Sequence, residues 1–183
     1  MATTTLVNLV GGYDMRYNQI KEYDVANGEG VRISLWTQGC STRCPNCFNK
    51  DTWDFNCGHE FTKETIEHIK SLLKDRTFVK RDLSILGGEP LEVVNIPMLT
   101  MLLREVKKEI ADVSVWLWTS KSFEDVREME MFKYIDVLID GRFEQELYSP
   151  RLNFRGSSNQ RIIKVQESLQ ENKIVLHELN NIV

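Results

Sequence analysis

Val31, Ile33, Leu35 and Thr37 alternate with Arg32, Ser34, Trp36 and Gln38, a period-2 pattern that reads as a buried strand. Gly39 ends the run and a loop carrying Cys40, Cys44 and Cys47 follows. Ile66, Ile69, Leu72 and Leu73 recur at helical spacing behind Thr62, which predicts a capped helix running to about Lys74. Asp82–Leu86 reads as a short strand ending in Gly87-Gly88-Glu89-Pro90. Met98, Leu99, Leu102, Leu103, Val106 and Ile110 make one apolar stripe, a helix that begins near Pro97, a good first-turn residue. Val113–Trp118 is a strand rich in β-branched and aromatic residues. Ser122 is placed to cap a short helix, Tyr134–Ile139 is a further strand closing on Asp140-Gly141, and Arg161–Val165 is the last. Asn27-Gly28-Glu29-Gly30 is a turn signature. The stretch Met1–Tyr23, with Gly11-Gly12, fits an edge strand or a loose arm, and the tail from Gln166 to Val183 fits helix or strand.

Strand and helix alternate, which implies an α/β fold of parallel strands with crossover helices. A complete eight-unit barrel typically needs about 250 residues, more than the 183 present, so an open, partial β/α barrel is the expected geometry. One domain is expected over 1–183, with its core at about 23–165, an N-terminal arm at 1–22 and a C-terminal tail at 166–183. In parallel folds the loops at the carboxyl ends of strands build the site. The cysteine loop, the Gly-Gly-Glu-Pro turn, Thr119-Ser120 and Asp140-Gly141 all leave strands at that rim.

Composition changes this picture little. Hydrophobic residues make up 42% and charged residues 27% of the chain, and no apolar run approaches the roughly 18–20 residues that span a bilayer. The start is polar and Thr-rich rather than signal-like, so the expectation is a cytoplasmic protein. A net charge of −4 argues against a general nucleic-acid binder or anionic-membrane binder. The four cysteines are unlike a disulfide framework in a reducing compartment, and three of them crowd within eight residues.

Three soft thiolates at C-x3-C-x2-C spacing select iron–sulfur clusters or zinc. Zinc would take Cys57, or less favourably His59, as its fourth ligand, but Cys57 has no knuckle partner two or three residues away. Cys57 is therefore read as a non-ligand thiol. Gly87-Gly88 would let the backbone approach a ligand closely, or would simply make a tight turn. Asp136 and Asp140 lie about 13 Å apart along a strand, too far for a proton-sharing dyad. Asp140 has the option of binding a ribose or a partner at the rim. His59, His68 and His177 are scattered. In the polar loop Arg155–Arg161, either Arg155 or Asn159 lines a cofactor pocket or partner surface, or the loop is a solvated turn.

The cysteine spacing followed by Phe48-Asn49, with Gly87-Gly88-Glu89-Pro90 at the next strand end, resembles the radical S-adenosylmethionine superfamily. Asn27–Arg32, Gln38-Gly39-Cys40, Asn49–Trp53, Trp116–Thr119, Asp136–Phe143 and Arg155–Arg161 sharpen the resemblance to the activating components of anaerobic ribonucleotide reductase, from about Tyr23 to Ile163. Glu29 stands where many members carry Pro, and the two terminal extensions exceed the family's compact core.

The resemblance implies a radical S-adenosylmethionine type of fold and a 4Fe–4S cluster on Cys40, Cys44 and Cys47. Its remaining iron would be chelated by S-adenosylmethionine. It further implies cofactor contacts from Asn46, Cys47 and Phe48, with Phe48 near the adenine, and from backbone groups of Gly87, Gly88 and Glu89 around the methionine end. On this reading Gly88→Val weakens cofactor binding and leaves the cluster intact. A flavodoxin-like donor reduces the cluster, S-adenosylmethionine splits into methionine and a 5′-deoxyadenosyl radical, and that radical removes a hydrogen atom from a glycine of the large reductase subunit. No side-chain acid or base is needed. The alternatives are an activase of another glycyl-radical enzyme, of the pyruvate formate-lyase type, and a zinc-binding interaction module; a homodimer is left open.

Overall fold

The computed structural model describes residues 14–181. Its strands are β1 (Arg16–Asp24), β2 (Arg32–Thr37), β3 (His59–Glu60), β4 (Asp82–Gly87), β5 (Val115–Trp118), β6 (Val137–Asp140) and β7 (Arg161–Lys164). They form one seven-stranded sheet in the order β3-β1-β2-β4-β5-β6-β7. Among the described residues four α-helices accompany it: α1 (Lys63–Lys74), α2 (Ile96–Glu109), α3 (Phe123–Val126) and α4 (Val165–Glu171).

The sheet is mixed rather than wholly parallel. β2, β4, β5 and β6 run parallel, joined through α1, α2 and α3, whereas β1, β3 and β7 are antiparallel to their neighbours. The reason lies in the connections: the turn between β1 and β2 is too short for the crossover that a parallel pair requires. Of the edge strand or loose arm open for the N-terminal stretch, Arg16–Asp24 is a strand, paired between β3 and β2. Residues 1–13, including Gly11-Gly12, lie outside the described residues. The C-terminal tail contributes α4 and an antiparallel bridge from Leu176 to Ile163.

Alternation along the central strands sorts their side chains between two layers. Ile33, Leu35, Leu83, Ile85, Val115, Leu117, Leu138 and Ile163 belong to the main core with the apolar stripes of α1 and α2. Trp116, Val137, Ile139 and Ile162 form a second, smaller cluster with Trp118, Phe154 and Leu179. The expected burial of β2 is observed: all six of its residues are buried. The loop after β1 folds over it, pinned where Asp24 accepts from Ala26 N (2.8 Å), Asn27 Nδ2 (2.7 Å) and Ser34 Oγ (2.7 Å). Arg32 is buried against this layer, donating to Ser84 Oγ (2.6 Å), Glu29 O (3.0 Å), Leu83 O (2.7 Å) and Ser114 O (2.9 Å). Burial pulls Arg32 down to about 10, so it stays a cation at neutral pH and its fixed donors bind the loops around β4.

Helix starts follow the sequence with one exception. Thr62 caps α1 in a reciprocal capping box with Thr65, and Pro97 stands in the first turn of α2. Ser122 makes no backbone cap; its hydroxyl donates to Asp125 Oδ2 instead (2.5 Å).

Candidate functional site

The parallel strands end around a cavity of about 620 Å³. Cys40, Cys44 and Cys47 stand on one wall, Gly87–Glu89 on another, with Thr119, Ser120 and Gly141 along the same rim. The four rim features expected from the sequence therefore meet in one place, although Asp140 itself does not face the cavity. Asp140 is buried and accepts from Phe123 N (2.8 Å) and Arg161 Nε (2.9 Å). Its role is to fasten α3 and β7 to β6, so the option of ribose or partner binding is withdrawn. Asp136 is likewise structural, accepting from Val115 N (2.7 Å) and Lys107 Nζ (2.6 Å).

The cysteine loop is curled by its backbone. Arg43 and Asn46 adopt left-handed conformations with φ of 44° and 56°, each directly before a cysteine. Cys47 N donates to Cys44 O (3.2 Å), and Asn49 N donates to the Cys47 sulfur (3.4 Å). Hydrogen bonds to sulfur are one of the ways a protein tunes an iron–sulfur centre. Outside the curl, Ser41 gives its N–H (2.7 Å) and hydroxyl (2.6 Å) to Glu92 Oε1. Thr42 Oγ1 lies 2.8 Å from Ser120 Oγ. The far end is held by Gln38, whose buried amide donates to Asp51 O (2.9 Å) and Asp54 O (2.7 Å). Burial pushes the Cys40 thiol up, against the opposing N–H groups of Arg43 and Thr42.

Among the described residues no three His, Cys, Asp or Glu side chains converge as a grip on one metal ion. Cys40, Cys44 and Cys47 all line the cavity, and in an iron–sulfur cluster each thiolate would sit on a different iron. Cys57 is exposed, lies off the cavity and donates to Asp54 Oδ2 (3.4 Å). That bond holds its thiol up, which disfavours the thiolate a metal requires.

Gly87 and Gly88 pack against the base of the cysteine loop. Gly88 N donates to Thr37 O (2.9 Å) and Glu89 N donates to Gly39 O (2.9 Å). A Cβ on Gly87, where φ is 119°, would stand 2.5 Å from Thr37 N. One on Gly88 would stand 2.9 Å from Thr52 O and closer still to Gly39 O. The glycines thus serve backbone-on-backbone packing first, and a side chain at Gly88 would strike the residue before Cys40. A Gly88→Val side chain would therefore press on the cysteine loop as well as on a ligand. Glu89 is buried with every backbone and side-chain group engaged. Its carboxylate accepts from Leu91 N (2.9 Å), Thr119 Oγ1 (2.6 Å), Ser120 N (2.7 Å) and Ser120 Oγ (2.6 Å). Glu89 O accepts from Glu92 N and Asn95 Nδ2, both at 3.1 Å. It builds the wall and has no group free for a ligand.

Asn46 and Phe48 both line the cavity. Phe48 is 89% exposed, touching Trp36 edge-on with centroids 6.4 Å apart. The alternatives for Arg155 and Asn159 separate: Arg155 lines the cavity, whereas Asn159 Nδ2 donates to Arg142 O (2.8 Å) and Glu144 Oε1 (3.2 Å). Sequence reasoning missed Gln38, Trp118 and Phe154. The last two are coupled by Trp118 Nε1 donating to Phe154 O (2.7 Å). The alternation of β5, which puts Trp116 and Trp118 on one face, hinted at Trp118; nothing local pointed to Phe154.

Residues 26–163 match the family model of a 4Fe-4S single cluster domain. An anaerobic ribonucleoside-triphosphate reductase-activating protein of Vibrio cholerae is 39% identical over 148 residues, covering 80% of this chain and 96% of the relative. The chain belongs to this family of activating proteins. The activating protein of Escherichia coli K12 is 37% identical over 148 residues, with 80% and 96% covered. The activating protein of Enterobacteria phage T4 is 38% identical over 148 residues, with 81% and 93% covered. The family model ends at Ile163, so most of the bridge and helix of the tail lies beyond it.

Proposed function

We propose that this protein is the iron–sulfur activase that generates the glycyl radical on the large subunit of anaerobic ribonucleotide reductase, using S-adenosylmethionine. The observation that carries the reading is the placement of Cys40, Cys44 and Cys47 on one cavity wall, with the Gly87–Gly88 turn packed against the same loop. The residues fit a 4Fe–4S cluster held by those three thiolates, with one coordination position left to the co-substrate. When bound, cluster and S-adenosylmethionine together supply a one-electron cleavage that yields methionine and a 5′-deoxyadenosyl radical, which takes hydrogen from a glycine of the partner.

The chain's own residues bind, orient and shield. Backbone groups of Gly87 and Gly88, other than the amide already given to Thr37, face the methionine end; Asn46, Cys47 and Phe48 face the nucleoside. Glu89 contributes by holding Thr119-Ser120 rather than by touching the ligand. Trp36, Leu86, Trp118 and Phe154 supply apolar wall against which the bound co-substrate would be held in place. We read the parallel strands with their antiparallel flanks as an open, partial barrel of the radical S-adenosylmethionine type. A low-potential protein donor such as flavodoxin is the inferred reductant. No helix among the described residues is long and apolar enough to cross a membrane. The four free thiols fit a reducing compartment, and we place the protein in the cytoplasm.

Anaerobic reconstitution with iron and sulfide tests the reading. A brown protein that converts S-adenosylmethionine to 5′-deoxyadenosine under reduction is expected; a colourless protein holding one zinc would refute it.

A further inference from the structure

Glu89 and Arg155 carry the formal side-chain charges among the described residues lining the cavity, and the fold treats them in opposite ways. Glu89 meets four donors, as described above. Among the described residues the Arg155 guanidinium meets neutral acceptors: Nη1 donates to Gln160 O (2.8 Å) and Asn180 Oδ1 (2.8 Å), and Nη2 donates to Asn180 O. Its Nε is buried without a partner among the described residues. Burial pulls Arg155 down, and no acidic neighbour among the described residues acts against it. A half-buried cation among neutral dipoles is poorly compensated, and an arriving carboxylate would gain a charge-assisted bond there.

Asn180 reaches Arg155 from the tail. The segment is built into the sheet: Lys164 N donates to Val175 O (2.9 Å), His177 N to Ile162 O (2.8 Å), and Ile162 N to Asn180 Oδ1 (2.9 Å). Leu179 packs on the Trp116 cluster and His177 stands edge-on to Trp116 at 5.6 Å. The neighbouring Phe154, in the left-handed region with φ of 52°, is held by Trp118. Arg155 is thereby fixed from both sides.

We propose that Arg155 receives the carboxylate of bound S-adenosylmethionine, and that Asn180 is the positioning residue that holds it on the cavity wall. The proposal rests on the cofactor reading above and makes the C-terminal segment part of the site.

The test compares two ligands on the cluster-reconstituted protein by equilibrium binding: S-adenosylhomocysteine, which carries the carboxylate, and 5′-methylthioadenosine, which lacks it. Arg155→Gln should weaken the first about tenfold or more and the second less than about twofold. Asn180→Ala should show the same selectivity at smaller amplitude, and Arg155→Lys should recover part of the loss. Iron content and thermal midpoint are measured alongside, and Asn180→Ala with Arg155→Lys carry the test if Arg155→Gln does not fold. Equal loss for both ligands, or loss for neither, overturns the proposal. Failure of the unsubstituted protein to bind either ligand would instead sink the cofactor reading.

Discussion

Ser120 gives Glu89 two hydrogen bonds at once, its backbone N–H at 2.7 Å and its hydroxyl at 2.6 Å. Because Glu89 follows β4 and Ser120 follows β5, this pair locks two strand ends at the rim of the cavity. The hydroxyl then meets Thr42, so the lock extends to the cysteine loop. An amide in place of the carboxylate would set an N–H against donors. Glu89→Gln should therefore cost about 2–4 kcal/mol of stability, as buried donors lose their acceptor. Ser120→Ala, which keeps the backbone bond, should cost about 1 kcal/mol. Chemical denaturation of the two variants checks the order.

Gly88→Ala should lower iron content as well as cofactor affinity. Its Cβ would stand 2.9 Å from Thr52 O and closer to Gly39 O, and relieving that overlap must move the loop that carries Cys40. Iron and sulfide per chain after reconstitution decide it: a full cluster with only cofactor binding lost would show that the turn moves independently.

Cys40→Ser, Cys44→Ser and Cys47→Ser should each lose the cluster, because no other thiol borders the cavity among the described residues. Cys57→Ser should retain it fully. Absorbance in the visible range and iron counting separate these outcomes.

Glu109 supplies a pH-dependent part of stability. Lys70 Nζ at 2.6 Å and Lys74 Nζ at 2.5 Å hold its carboxyl down to about 2, from an ordinary value of 4.5. A depressed folded-state pKa stabilises above the ordinary value, and that stability is lost as pH falls through the window from 4.5 to about 2. Acid unfolding of the cluster-free protein should be less steep in Glu109→Gln. The difference should shrink in high salt, since these groups are partly exposed.

The elements legible in the sequence were those with a strong local signal: the Thr62 cap, the apolar stripes of α1 and α2, and the strands leading to Gly39 and Gly87. Strand direction at the sheet edges was not legible, because it depends on how long each connection is and where it returns. The burial of β2 was legible but not its means: Arg32 and Ser34 are covered by a loop whose arrival no local pattern announces. At the site, the spacing of the three cysteines marked a metal-binding loop, and the fold brings all three to the cavity. Glu89, by contrast, looked like a ligand-binding residue until its donors were counted. Asn180, from the tail, carries no sequence signature for the contact it makes with Arg155.

Anaerobic incubation with the large subunit of anaerobic ribonucleotide reductase, S-adenosylmethionine and a low-potential reductant, followed by electron paramagnetic resonance, tests the central claim most directly. A radical on a glycine of the large subunit should form, with 5′-deoxyadenosine produced alongside it. A protein holding its full cluster that gives neither the radical nor cleavage of S-adenosylmethionine would contradict the account.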